Sequence, residues 1–267
     1  MFPLNRTTLP TTAADLAQAI NDSLRSTFNL TRDPAEVRDL SYPHLAAIEV
    51  SLDGAQLPER PPEIPSLASR AEPALTAGSF NAGGRGISIG PAALDFALTA
   101  SGVELNQAKD NAGQIVLLLH NAAQGHVEAS VSKSDLEALI ASVAKTEAGK
   151  HGVNIDNVQL SLRSAGPRSL AAEVRLDAKK LFLTAALRLS AQLDLDAELN
   201  ARLSGLDCAG DGALATIACN VLKPHLEKLN GRAFPLMSLP LGEVRLRDVR
   251  VAVGERLSVT AEFGSSS

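Results

Sequence analysis

Between Leu181 and Leu203 the sequence reads LFLTAALRLSAQLDLDAELNARL, and every odd-numbered residue in it is Leu or Ala. After Ala186 the even positions are Arg188, Ser190, Gln192, Asp194, Asp196, Glu198, Asn200 and Arg202, so one side is apolar and the other is suited to water. A period of two places Leu187, Leu189, Leu193 and Leu195 on one face of a β-strand, whereas a helix would scatter them around its circumference. Leu, Ala and Glu favour helix locally, but a helix that is apolar all round needs burial on every side, and the polar partners forbid that. No Gly, Pro or Asn-Gly pair interrupts the run, so the expectation is one continuous strand with no hairpin inside it. At about 3.3 Å per residue such a strand extends roughly 75 Å, while a sphere of this chain length is only about 47 Å across. Either the molecule is elongated or the strand coils within a strongly bent sheet. Both imply a long apolar trough.

The chain of 267 residues can bury a substantial core, and one large β-rich domain is favoured over two. Hydrophobic residues make up 45%, but aromatics only 3%, with Tyr42 the single tyrosine and no tryptophan. Such an aliphatic interior suits flexible hydrocarbon better than stacked bases or sugars. The net charge is −5 and there is no basic run or aromatic ladder, which argues against nucleic acid as a partner. The amino terminus has no apolar stretch of signal-peptide length, and no eighteen consecutive apolar residues occur anywhere. The chain as given reads as soluble, cytoplasmic or membrane-peripheral, or periplasmic if a signal has been trimmed. Cys208 and Cys219 close a short segment; a disulfide, implying an oxidising compartment, and two buried thiols both fit.

Thr12 caps a first helix over about 13 to 27, with Leu16, Ile20 and Leu24 on one stripe. Ile48, Val50 and Leu52 alternate as a strand, and five prolines between Leu57 and Pro73 mark a loop where any domain boundary belongs. Residues 1–75 are thus expected to form a helix, strand and Pro-rich loop packed on a main domain of 76–267. Short strands surround glycines from Phe80 to Leu105, and a compact buried strand spans 114–120. A second helix carries Leu136, Leu139, Ile140 and Val143, with Ser134 and Glu137 as its capping box and Gly149 as its stop. Strands at Val158–Leu162, Val174–Leu176 and the long run predict an antiparallel meander with one wet face. A third helix starts near Gly212, with Leu214, Ile217, Val221, Leu222, Leu226 and Leu229 on its apolar side and a kink at Pro224. Near the end, Arg247 and Asp248 mark a bulge or reversal where the apolar phase changes.

Catalytic chemistry finds no foothold. The glycines of GGRGISIG, Gly83 to Gly90, lack the lysine and the Ser or Thr of a phosphate loop and read as a bent strand or turn. His44, His120, His126, His151 and His225 are scattered, with no carboxylate or cysteine spaced to complete a metal set. Asp194, Asp196 and Glu198 share a face with other polar residues and read as solvated, and no serine sits in a hydrolase elbow. No cofactor, metal or catalytic residue is assigned.

What remains is apolar surface. Helices that merely cover the sheet would leave a closed core; a sheet curled around helix two or three would leave a tube for acyl chains. In that tube Leu183, Leu187, Leu189, Leu193, Leu195 and Leu199 face inward from the sheet. Leu139, Ile140, Val143, Ile217, Val221 and Leu222 meet them from the helices. The segment GHVEASVSKSDLEALIAS from Gly125 to Ser142, the meander, the third helix and the tail LNGRAFPLMSLPLGEVRLRDVRVAVGERLSVTAEFG, with its Leu-Pro-Leu-Gly turn at 239 to 242, carry a resemblance. Over roughly Phe80 to Gly264 the chain resembles the bacterial envelope family that includes the mycobacterial lipomannan elongation factor, itself similar to the tubular lipid-binding superfamily. That resemblance implies an elongated α+β fold, a long, highly curved antiparallel sheet rolled around one or two long helices. It also implies non-enzymatic binding or transfer of a lipid or lipid-linked molecule, with peripheral membrane contact. The alternative is a structural or interaction module, with a closed core, that meets a protein partner or a second copy of itself.

Overall fold

The first helix forms where its cap and stripe place it. In the computed structural model, which describes residues 2–57, 65–150, 152–180, 183–196, 200–235, 244 and 246–265, helix α1 spans Ala13–Phe28 and the Thr12 hydroxyl accepts the Asp15 N–H. Leu16, Ile20 and Leu24 are all buried, and Asn29 ends the helix in a left-handed conformation. Among the described residues the fold is mixed α+β and strand-rich, with three helices and two open sheets.

The chain divides into two compact units. One comprises Met1–Ser130, Met237–Val249 and Thr260–Ser267; the other comprises Val131–Leu236 and Arg250–Val259. The boundary expected at 75/76 is therefore corrected. Strand β4 (Glu72–Ile89) pairs directly with β3 (His44–Ser51), so the Pro-rich segment connects neighbouring strands of one sheet. That pairing is parallel, against the wholly antiparallel expectation.

In the first unit β2 (Ala35–Ser41), β3, β4, β5 (Ala92–Lys109), β6 (Ile115–Asn121) and β1 (Phe2–Pro3) pair in that spatial order. The larger nine-stranded sheet continues from β5 through β7 (Gln124–Ser132) to β14 (Arg256–Phe263) and β13 (Leu246–Val253). A crease crosses β3, β4 and β5 at one height. The inward residues step by three instead of two, from Leu45 to Ile48, from Ala77 to Phe80 and from Val103 to Ala100. Because all three strands slip together, Ala77 still faces Val103 and Phe80 faces Ala100. Two glycines sit at this level. Gly102 has φ +57°, and a Cβ on Gly78 would lie 2.8 Å from the Ala46 carbonyl oxygen. The Gly83–Gly90 cluster is indeed a bent strand, with an irregularity in the β4–β5 ladder between Gly84 and Ile87. In β13, Asp248 has φ 50° and the strand runs on, so this site is a bulge, not a reversal.

The second unit holds the expected meander, β8 (Asn154–Gly166), β9 (Ser169–Lys180), β10 (Leu183–Leu195), β11 (Asn200–Asp211) and β12 (Ala233–Pro235), in sequential order and antiparallel. The single strand expected over 181–203 is corrected: it is a hairpin, with Leu195 paired to Ala201 and Leu193 to Leu203. Its reversal uses Asp196, whose carboxylate accepts the Asn200 N–H at 2.8 Å while its own N–H donates to the Asn200 carbonyl. This is turn chemistry from an aspartate, without glycine or proline.

Helix α2 (Lys133–Gly149) is capped by Ser132, which accepts the Asp135 N–H, and not by the expected box of Ser134 and Glu137. Glu137 instead accepts the Leu160 N–H of β8 at 2.7 Å, tying helix to sheet. Helix α3 (Ala213–Leu229) contains Pro224 and docks through small residues, with Ala215 fully buried and Ala218 and Cys219 beside it. Its expected apolar side is corrected, since Ile217 is 61% exposed. A Cβ on Gly210 would meet that of Ala215 at 2.7 Å, so the helix lies against bare backbone. Cys208 of β11 and Cys219 of α3 are bridged, with Cα atoms 5.4 Å apart. The Leu-Pro-Leu-Gly segment at 239–242 lies outside the described residues.

The bridge closes a short loop, for which chain-entropy bookkeeping gives about 3 kcal/mol. The double variant Cys208→Ser, Cys219→Ser is expected to lose stability of that order in urea unfolding. Wild type in reductant should match it, and an unchanged midpoint in both would show that the bridge does not form.

Candidate functional site

The helix α1 is held by polar handles on opposite flanks. The Asn21 side chain is buried; its Nδ2 donates to the Ala35 carbonyl at 3.0 Å and its Oδ1 accepts the Ala35 N–H at 2.7 Å, gripping β2. Ser23 donates to the Pro3 carbonyl of β1 at 2.6 Å. At 3.6 residues per turn these two residues lie about 200° apart around the helix. Ion pairs of Arg25 with Asp22 and Asp33, and of Arg6 with Asp22, add weakly at the exposed side. Tyr42 donates its hydroxyl to the Pro10 carbonyl ahead of the helix, and burial together with the Asp15 carboxylate raises its pKa.

Between the apolar stripe of α1 and the sheet lies a cavity of about 280 Å³. From the helix come Ile20, Leu24 and Phe28; from β3 and its continuation, Ile48, Val50 and Leu52. Phe80 and Ala82 of β4 face Ala100 and Leu98 of β5, so each cross-strand pair joins a large side chain to a small one. Val103, Leu105, Leu117, Leu119 and Phe2 complete the lining, in which no side chain is polar among the described residues. Ile48, Leu98 and Val103 are buried, whereas Phe2, Phe28, Val50, Leu52, Phe80 and Leu119 are half-buried. The floor is buried and the rim is partly exposed.

One wall is locked by Asp53. Its carboxylate accepts the Arg85 N–H at 2.8 Å, and the neighbouring Leu52 N–H donates to the Gly83 carbonyl. A Cβ on Gly84 would lie 2.5 Å from the Leu52 backbone, so only glycine lets the two chains meet. The Arg85 N–H chiefly, with Ser51 and Arg32, holds the Asp53 carboxyl below its ordinary pKa against the opposing effect of desolvation.

A shallower depression of about 500 Å³ lies along Thr99, Ser101, Gln124, His126, Arg247 and Glu262, with Phe263 at its base. Its lining is the ordinary polar face of paired strands. Ala100 belongs to both linings.

The residues expected to line a tube lie elsewhere. Leu187 is buried and Leu189 half-buried in a cluster with Ala215, Ala218 and the bridged cysteines, where α3 closes directly on the sheet. Leu195 is buried and Leu193 half-buried on the same strand. Leu139, Ile140 and Leu222 are half-buried on their helices, but Val143 and Ile217 are 58% and 61% exposed. Those two are corrected, because the helices turn smaller residues, Ala144, Ala148, Ala215 and Ala218, towards the sheet. The side chains of Leu183 and Val221, and Leu199 altogether, lie outside the described residues. Phe2, Phe28 and Phe80, three of only seven phenylalanines, gather at the observed cavity, a convergence that the fold alone reveals.

Comparison with known proteins adds no relative: no protein-family model matches the chain, nor does any curated protein or solved structure.

The Asp53 lock has a pH signature. A carboxyl whose pKa is lowered by folding contributes stability that is complete above its unfolded pKa and is lost as pH falls through the folded one. Asp53→Ala is therefore expected to be less stable than wild type at neutral pH, and the gap between their urea midpoints should close in acid. A gap that is constant with pH would exclude this role for the carboxylate.

Proposed function

We propose that this protein is a non-enzymatic lipid binder of tubular lipid-binding type, in which the sheet of the first unit rolls around α1 and the cavity between them takes an apolar chain. The grip of α1 supports the rolled arrangement. Six strands laid flat put their outer members about 24 Å apart, whereas one helix about 10 Å wide bonds to both β1 and β2. The resemblance over Phe80 to Gly264 leaves out α1, β1, β2 and β3, so it supports lipid binding and not this choice of helix. The bridge between Cys208 and Cys219 fits an oxidising compartment such as the cell envelope.

The observation that carries the reading is the unfilled apolar volume. A hollow of about 280 Å³ with apolar walls leaves uncovered surface that a bound chain would bury, at roughly 25 cal/mol per Å². Leu in place of Ala82 or Ala100 would fill about a third of it, counting about 30 Å³ for each added carbon. A bound chain covers that surface while keeping the alanines useful.

Unit two supports a second use of apolar surface. Val143 and Ile217, exposed on α2 and α3, fit contact with a protein partner or a membrane surface.

Native mass spectrometry of the purified protein, followed by organic extraction, is expected to recover an acyl lipid. Ala100→Phe should lose it while remaining folded, and Leu193→Ser, on β10, should keep it. Loss in Leu193→Ser with retention in Ala100→Phe would move the site to the β10 face. A bare wild-type protein that also takes up no added lipid would sink the proposal and favour the interaction module.

A further inference from the structure

We infer that the cavity is built for one unbranched alkyl chain of about ten carbons, and not for a two-chain lipid; this rests on the lipid-binding reading and narrows its ligand. A methylene is about as large as a water molecule, whose share of liquid volume is about 30 Å³, so a hollow of about 280 Å³ holds nine or ten carbons. An ordinary phospholipid, with more than thirty chain carbons, needs about three times that space.

The chemistry of the walls sets the second half of the inference. Among the described residues no lining side chain is polar, and a carboxylate, phosphate or hydroxyl carried inside would lose its hydration without a side-chain partner there. The polar end of the ligand therefore stays at the half-buried rim, and selection is by chain length and not by head group. The length gauge is the paired alanines. Ala82 lies opposite Leu98 and Ala100 opposite Phe80, so each alanine leaves room beside a large partner.

Calorimetric titration with saturated fatty acids from hexanoate to stearate tests this, together with decanoyl lysophosphatidylcholine and vesicles of dioleoyl phosphatidylcholine. Affinity is expected to rise about fourfold per methylene up to about ten carbons and then to level off. The decanoyl lysolipid should match decanoate, and the vesicles should yield no bound lipid. A rise that continues to stearate, or stoichiometric uptake of the two-chain lipid, would overturn the inference and leave the lipid-binding reading standing. Affinity for none of these chains would remove that reading itself. Ala82→Leu should move the plateau about three carbons shorter and Leu98→Ala about three longer, counting about one added or removed carbon per water-sized volume. Circular dichroism identifies the folded variants, and a plateau unmoved in either folded variant counts against the gauge.

Discussion

The hydrogen bonds of Asn21 and Ser23 govern the first unit. They tie opposite flanks of one helix to β2 and β1, which are separated in the sheet by four other strands. Neither bond is individually large, since a neutral pair contributes about 1 kcal/mol net. Their force lies in the alternative: a buried asparagine deprived of Ala35 would leave donor and acceptor unpaired, which costs more than the bond contributes. In the proposed rolled arrangement the sheet bends to keep both. The crease at Gly78 and Gly102 supplies the bend without breaking a ladder, because three strands change phase together. It also brings Phe80, Ala82, Leu98 and Ala100 onto the side facing the helix, where their strict alternation with Ala77 and Val103 would have turned them outward.

The second unit treats its helix differently. Helix α1 presents Leu16, Ile20 and Leu24, whose bulk holds it off the strands. Helix α3 presents Ala215 and Ala218 against Gly210, and the bridge from Cys219 to Cys208 fastens the contact. Close approach leaves little space between helix and sheet, so burial there serves the core. The consequence appears on the far side of α3, where Ile217 is left exposed. Large residues inward with small ones opposite make a hollow; small residues inward make a seam.

Much of this was legible in the residues, and the failures share a cause. The Thr12 cap and the Leu16, Ile20, Leu24 stripe are local signals, and they located α1 to within a residue. The meander followed from alternation in the same way. Alternation could not reveal the hairpin inside the Leu181–Leu203 run, because the turn at Asp196 and Asn200 pairs odd residues with odd ones. Paired residues face the same side, so the apolar phase passes through the reversal unbroken. The helix faces misled because Ile217 and Val143 outrank alanine in hydrophobicity, while close packing on Gly210 and on β8 selects alanine. The cavity stayed hidden for a third reason. Its walls come from α1, β3, β4, β5, β6 and β1, and no local pattern records that six elements converge.

The placement of small residues decides which hollow can be functional. Alanine against glycine backbone, as at Ala215 and Gly210, cannot be enlarged without forcing the helix away, so size there is dictated by packing. Alanine opposite phenylalanine or leucine, as at Ala100 and Ala82, borders open space that larger side chains could occupy. The first kind of position explains itself through stability. The second kind sacrifices stability, because filling a cavity of this size is among the easiest ways to strengthen a fold. In the proposed reading, a hollow with a buried apolar floor and a half-buried rim is the kind of site an exchanging occupant requires, and the alanines keep it open.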